Sequence, residues 1–279
     1  MPYNPARNYI VQKNLESIDR VSTFHATQRY FNREVWLSRI SLYYSDSPDI
    51  LKICEQELRK WAGLRHPVLP QIIDAWAEEK ELVFVTKALS GTSLLDFVNQ
   101  RFVPELELTL QIGRDIASVM GYLHNQDISH GALKLDSFIL EDDKWLRLRQ
   151  TNFASHIQQL FERIKRLEVP DEESDRHNRK NDLASWGAIL GALLTGDASF
   201  GYKKIVGKKA RVIELEALSV RSKNPKVPVA LEELILKSLA TGLDPETGIG
   251  SFAEIEQGLS QLRTQQSPSP SGGQGKGTA

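Results

Sequence analysis

The sequence predicts an α+β chain in two parts, an antiparallel sheet carrying one helix and then a mainly helical region. Three observations lead there. Short, alternating apolar runs fill residues 9 to 85, a single helical pattern interrupts them, and beyond Gly91 the apolar spacing changes to three and four residues.

The strand pattern is clearest in "REVWLSRISLYY" (33–44), "QIIDAWAEE" (71–79) and "ELVFVTKAL" (81–89), the last two separated by a charged turn at Lys80. Between them "SPDILKICEQELRKWAGLRHP" opens on capping residues, spaces Leu51, Cys54, Leu58 and Trp61 helically, and stops near Gly63 and Pro67. In the second part, residues 104–126 place Leu108, Ile112, Ile116, Val119 and Leu123 on one helix face. "KWLRLRQTNFA" (144–154) alternates like a hairpin strand, and 181–196 is apolar nearly all round, as suits a central helix. Two more amphipathic helices begin after Pro228 and Ser251, and the Ser/Pro/Gly/Gln-rich residues 265–279 read as a disordered tail or linker. Trp76 and Trp145 are expected to be packing residues.

Composition narrows the function. With 35 Lys and Arg against 36 Asp and Glu, the formal net charge is -1, so no global basic field draws the chain to nucleic acid or anionic lipid. Cys54 is the single cysteine, which excludes an internal disulfide or a multi-cysteine zinc site. Without an apolar leader or a run of about 18 apolar residues, the expectation is a cytoplasmic protein with no membrane contact. No cofactor is expected.

The ordered segments "LRHPVLPQIID", "YLHNQDISHGALKLDSFIL" and "NDLASWGAILGALLTG" carry a resemblance. Together they look like a eukaryotic-type protein kinase, closest in wording to bacterial Ser/Thr kinases. The resemblance covers residues 9–264 and implies a bilobal fold, with an N-lobe over 1–88 (antiparallel β-sheet plus one helix) and a mainly α-helical C-lobe over 89–264.

Kinase chemistry uses a Gly-rich loop over the phosphates, a Lys held by a helix Glu, a catalytic Asp and two metal ligands. The resemblance places each. The three glycine positions hold Glu16, Ile18 and Val21, and Glu16 adds negative charge where phosphate would sit. The Val-Ala-Ile-Lys strand corresponds to "VWLS" (35–38), so Ser38 replaces the phosphate-clamping Lys and Trp36 the small adenine-lining Ala, with Thr86 lining the same pocket. Alternation aims Arg39 at the opposite face; a slipped register would instead offer it as the missing cation. Glu57 takes the helix Glu position and Trp61 an apolar position one turn on.

In "HGALKLDS", Ala132 stands at the catalytic Asp, and a methyl group cannot accept a hydroxyl proton. Ser137 replaces the metal-binding Asn, and Asn152-Phe153-Ala154 aligns with Asp-Phe-Gly, exchanging an anionic metal ligand for an amide. His130, Phe153 and Asp182 keep positions that pack or cap. Val169-Pro170-Asp171 matches Ala-Pro-Glu, and its Arg partner is Gly248. Residues 155–169 pattern as an amphipathic helix able to fold over the cleft. Lys203, Lys204, Lys208, Lys209 and Arg211 form a basic stretch, a solvated loop or a patch for an acidic partner.

These substitutions predict a pseudokinase: no enzyme, no strong magnesium–ATP binding, and a role as a protein-binding scaffold or regulatory module. The alternatives are a nucleotide- or ligand-binding switch without phosphotransfer, and an enzyme with altered transferase chemistry using Lys134, Asp136 or Arg39.

Overall fold

Alternating side chains build the first layer. The structure, a computed structural model, describes residues 8–18, 21–41, 48–78, 81–100, 103–149, 172–201, 219–242 and 248–266. Strands β1 (Tyr9–Ile18), β2 (Val21–Gln28), β3 (Arg33–Ser41), β4 (Ile72–Glu78) and β5 (Glu81–Lys87) form one antiparallel sheet in the order β1-β2-β3-β5-β4. Helix α1 (Pro48–Gly63) lies between β3 and β4 in sequence.

Register decides which side chains share a face. Thr23 pairs with Ser38 and Ser38 with Phe84, while His25 pairs with Trp36 and Trp36 with Thr86. These residues therefore lie on one face. The other face buries Tyr9, Ala26, Val35, Leu37, Val83 and Val85 against Phe24 and Trp76. Tyr9 stacks on Trp76 with ring centroids 5.7 Å apart and donates its hydroxyl to Asp74 Oδ2 at 2.9 Å. Arg39 belongs to this second face, 5.7 Å over the Phe24 ring and 3.8 Å from Glu81. The slipped register that would bring Arg39 to the other face is thereby excluded.

Residues 64–69 tie this sheet to the helical part. Leu64 and Val68 join the large core, Arg65 N donates to the Tyr122 hydroxyl at 3.0 Å, and Leu148 N donates to Val68 O at 2.8 Å. The Arg147 guanidinium donates to Pro67 O and, through Nε, to Glu141 Oε2. His66 faces Ser118 Oγ at 3.2 Å, and burial pushes its imidazole below the ordinary value.

The second part contains α2 (Leu94–Asn99), α3 (Leu106–His124), α4 (Glu172–Thr195), α5 (Val229–Ala240) and α6 (Phe252–Gln266), with β6 (Thr92–Ser93), β7 (Phe138–Glu141) and β8 (Trp145–Leu148) in a small sheet. Helix α4 runs through the middle of the core, with Trp186, Ile189, Leu190 and Leu193 fully buried and Trp186 Nε1 donating to Gly113 O at 2.9 Å. No helix among the described residues is long and apolar enough to cross a membrane.

Three expectations need correction. Helix α4 begins at Glu172, nine residues before the apolar pattern that announced it, because its first turns are polar and bind the neighbouring loop. The strand expected over 144–154 ends at Leu148. Trp145 is 53% exposed with the Lys144 ammonium 4.8 Å from its ring, rather than packed inside; it follows the turn made by Asp142 and Asp143, both at positive φ.

Candidate functional site

The loop from Ser129 to Ser137 is held from α4. Asp182 is fully buried; its Oδ1 accepts from Gly131 N at 2.7 Å and its Oδ2 from His130 N at 2.8 Å, with His124 Nε2 2.9 Å away. About one helical turn earlier, Arg179 donates to His124 O at 2.8 Å and to Asp175 Oδ2 at 2.7 Å, and Ser129 Oγ donates to Asp175 Oδ1. The 175, 179, 182 spacing puts all three on one side of α4. Burial alone would raise the Asp175 carboxyl, but the hydrogen bonds from Arg179 and Ser129 carry it below its ordinary value.

Within the loop, His130 Nδ1 accepts from Ala132 N at 3.2 Å, and Ala132 is exposed. The buried Ser137 hydroxyl accepts from Lys134 N at 3.1 Å while Ser137 N donates to Lys134 O at 2.9 Å, closing a 3-10 turn over Leu135–Ser137. Lys134 Nζ and Asp136 Oδ2 are 3.1 Å apart. A cavity of about 650 Å3 opens there, lined by Ala132, Lys134, Asp136, His177 and Asn181 among others.

Across the cleft, Ser38 is 1% exposed and its Oγ lies 2.8 Å from Thr23 Oγ1. Trp36 is half-buried on the same face, beside the buried Thr86. Pairing of β1 with β2 continues to Ile18 opposite Val21, and Val21 is buried. Glu16 points to Arg149, whose NH2 lies 3.4 Å from Glu16 Oε2. On α1, Trp61 packs against the large core and Glu57 is half-buried and not without a partner. Asn152 and Phe153, the 155–169 segment, Val169 to Asp171 and the basic stretch Lys203, Lys204, Lys208, Lys209 and Arg211 all lie outside the described residues.

A sheet-and-one-helix lobe, a loop pinned by a buried Asp of the central helix and a facing strand of this register form the frame of a known family. The family model for the protein kinase domain matches residues 24–241. The chain belongs to the protein kinase family. Its sequence is similar to the serine/threonine-protein kinase PrkC of Bacillus subtilis, 23% identical over 224 residues, or 77% of this chain and 34% of that protein. It is also similar to the gamma catalytic chain of phosphorylase b kinase, liver/testis isoform, of Bos taurus: 26% identity over 160 residues, 53% of this chain and 39% of that one. The chain thus spans little more than a third of these relatives. The kinase domain of PknI from Mycobacterium tuberculosis superimposes with a TM-score of 0.63 at 16% identity, covering 91% of this chain and 96% of that one, which supports the fold.

This match overturns the expectation that the chain is not an enzyme. A protein kinase domain with relatives named as serine/threonine-protein kinases points to a kinase enzyme.

The site nevertheless differs from the family's pattern in ways the geometry makes physical. Of the two positions the family uses for metal ligands, only Ser137 is among the described residues; its hydroxyl is buried and accepts the Lys134 N–H, and it is a weaker magnesium ligand than an anionic or carbonyl oxygen. Gly131, at the position of the family's loop Arg, has φ +75, and a Cβ there would lie 2.7 Å from Asn178 Oδ1. Gly248 is equally constrained, since a Cβ would meet Thr241 Oγ1 at 2.4 Å, the same hydroxyl that accepts from Ile249 N. The Arg149 contact with Glu16 escaped sequence reasoning altogether. Its partners are 133 residues apart, and only the placement of Glu16 in the phosphate loop hinted that an acid there would require a cation.

Proposed function

We propose that this protein kinase domain acts in signalling as a protein-binding regulatory module, and that magnesium–ATP binds its cleft weakly. Ser38 carries the reading. Phosphate oxygens need a mobile cation at that point of β3, and the side chain there is a buried hydroxyl engaged with Thr23. Arg39, one residue on, serves the opposite face and does not replace it.

A second reading keeps the family's phosphotransfer with altered groups, favoured by the Lys134–Asp136 pair at the mouth of a cavity large enough for a substrate segment. In that reading Asp136 would accept the substrate hydroxyl proton and Lys134 would steady the transferred phosphate.

Thermal shift with ATP and magnesium or manganese, run beside incorporation of labelled phosphate, separates these. Ligand that binds the native state at about 100 times its Kd stabilises by about 2.7 kcal/mol, a shift easily seen. Weak binding predicts no resolvable rise at 1 mM nucleotide, and a rise saturating at micromolar ATP would refute it. Incorporation that Lys134→Ala or Asp136→Ala abolishes would establish the second reading.

A further inference from the structure

A cation beside the altered metal position is Arg149. Its backbone N donates to Ser137 O at 2.8 Å and its NH1 to Asp136 O at 3.3 Å, which fixes the guanidinium against the turn that would hold a metal ligand. Glu16, on β1 at one of the glycine positions of the family's phosphate loop, approaches with one oxygen at 3.4 Å. The approach is one-pronged, although guanidinium and carboxylate can pair through two parallel bonds. Among the described residues, Arg149 Nε has no hydrogen-bond partner despite being shielded from solvent. Donor capacity is therefore left over.

We propose that Arg149 is a fixed cation that receives a polyphosphate chain in the cleft without a metal ion, and that the Glu16 carboxylate occupies that place until the anion displaces it. The proposal rests on the reading that magnesium–ATP binds this cleft weakly, and extends it. A guanidinium permanently carries charge and presents a rigid fork of donors suited to phosphate oxygens. Held by the Asp136 carbonyl, with its backbone N–H on the Ser137 carbonyl, it supplies positive charge beside the turn that carries the Ser137 hydroxyl. A phosphate group brings more acceptor oxygens to the guanidinium than the single contacting oxygen of Glu16. Lys134, on the Asp136 carboxylate, adds a second cation beside the same turn.

The test uses the full chain in EDTA and measures Kd by calorimetry for ATP, inorganic tripolyphosphate and adenosine. Wild type, Glu16→Gln, Arg149→Met and the double variant are compared. Glu16→Gln should bind ATP and tripolyphosphate about five- to tenfold tighter than wild type, which corresponds to removing one adjacent like charge. Arg149→Met should lose that binding in both backgrounds, with adenosine unaffected throughout. Tripolyphosphate binding as well as ATP identifies a general anion site, and ATP alone a nucleotide site. Equal affinities of wild type and Glu16→Gln, or binding that survives Arg149→Met, overturn the proposal. Should Arg149→Met not fold, Arg149→Lys keeps the charge without the fork and should weaken binding several-fold; unchanged binding there also refutes the assignment. The magnesium arm of the earlier experiment tests the other reading independently, because metal-dependent tightening in wild type would refute weak magnesium–ATP binding whatever Arg149 does.

Discussion

The loop on the helical side of the cleft and the strand on the sheet side hold polar groups for different ends. Asp182 uses both carboxylate oxygens to fix backbone N–H groups of His130 and Gly131, so its hydrogen bonds shape a loop. Among the described residues the Ser38 and Thr23 hydroxyls bond each other, a pair that joins its own two strands. The contrast teaches that a kinase loop's backbone form and its phosphate chemistry rest on separable residues. Here the form is densely bonded while the phosphate-facing side chains are changed.

The largest effect that could break this comparison is expected at Asp182. Asp182→Ala leaves two loop N–H groups and His124 without their acceptor in a fully buried place. Removing one partner of such a network costs about 3–5 kcal/mol. Urea unfolding should show that loss in the midpoint, and a change below about 1 kcal/mol would mean that the loop is not held from α4.

Gly131 sharpens the same side of the comparison. At φ +75 an L side chain is strained, and its Cβ would press on Asn178. Gly131→Ala should cost about 1–2 kcal/mol, and Gly131→Arg, which restores the family's residue, should cost more. Asn178→Ala should recover the steric part and leave the backbone part. Full tolerance of Gly131→Arg would show that the loop adopts another backbone with ease.

What the sequence revealed follows the same division. The helix over 104–126 and the strand containing "VWLS" were legible because apolar spacing and alternation are local properties, and the β3 register then placed Ser38 and Arg39 on opposite faces as the alternation implied. Asp182 was legible as a cap through the family resemblance. The two-residue strand β6 and the six-residue α2 were too short to show a period. The polar start of α4 has no apolar stripe, since its side chains bind the loop rather than the core. Backbone sign at Gly131 and the meeting of Glu16 with Arg149 depend on tertiary placement, which no window of sequence contains.

The smallest expected effect tests whether the sheet side is as self-contained as it looks. Ser38→Ala strands the Thr23 hydroxyl in a buried place, and Thr23→Val strands that of Ser38, each costing about 1–2 kcal/mol. The double variant replaces both partners with apolar groups of similar shape, which is close to neutral when nothing else uses the pair. A double-mutant cycle by urea denaturation should therefore give a coupling of about 1 kcal/mol, with the double variant more stable than either single one. Additive losses would show that Ser38 or Thr23 serves a third group across the cleft. In that case β3 would share in holding the site, and the division between form and phosphate chemistry would fail on the sheet side.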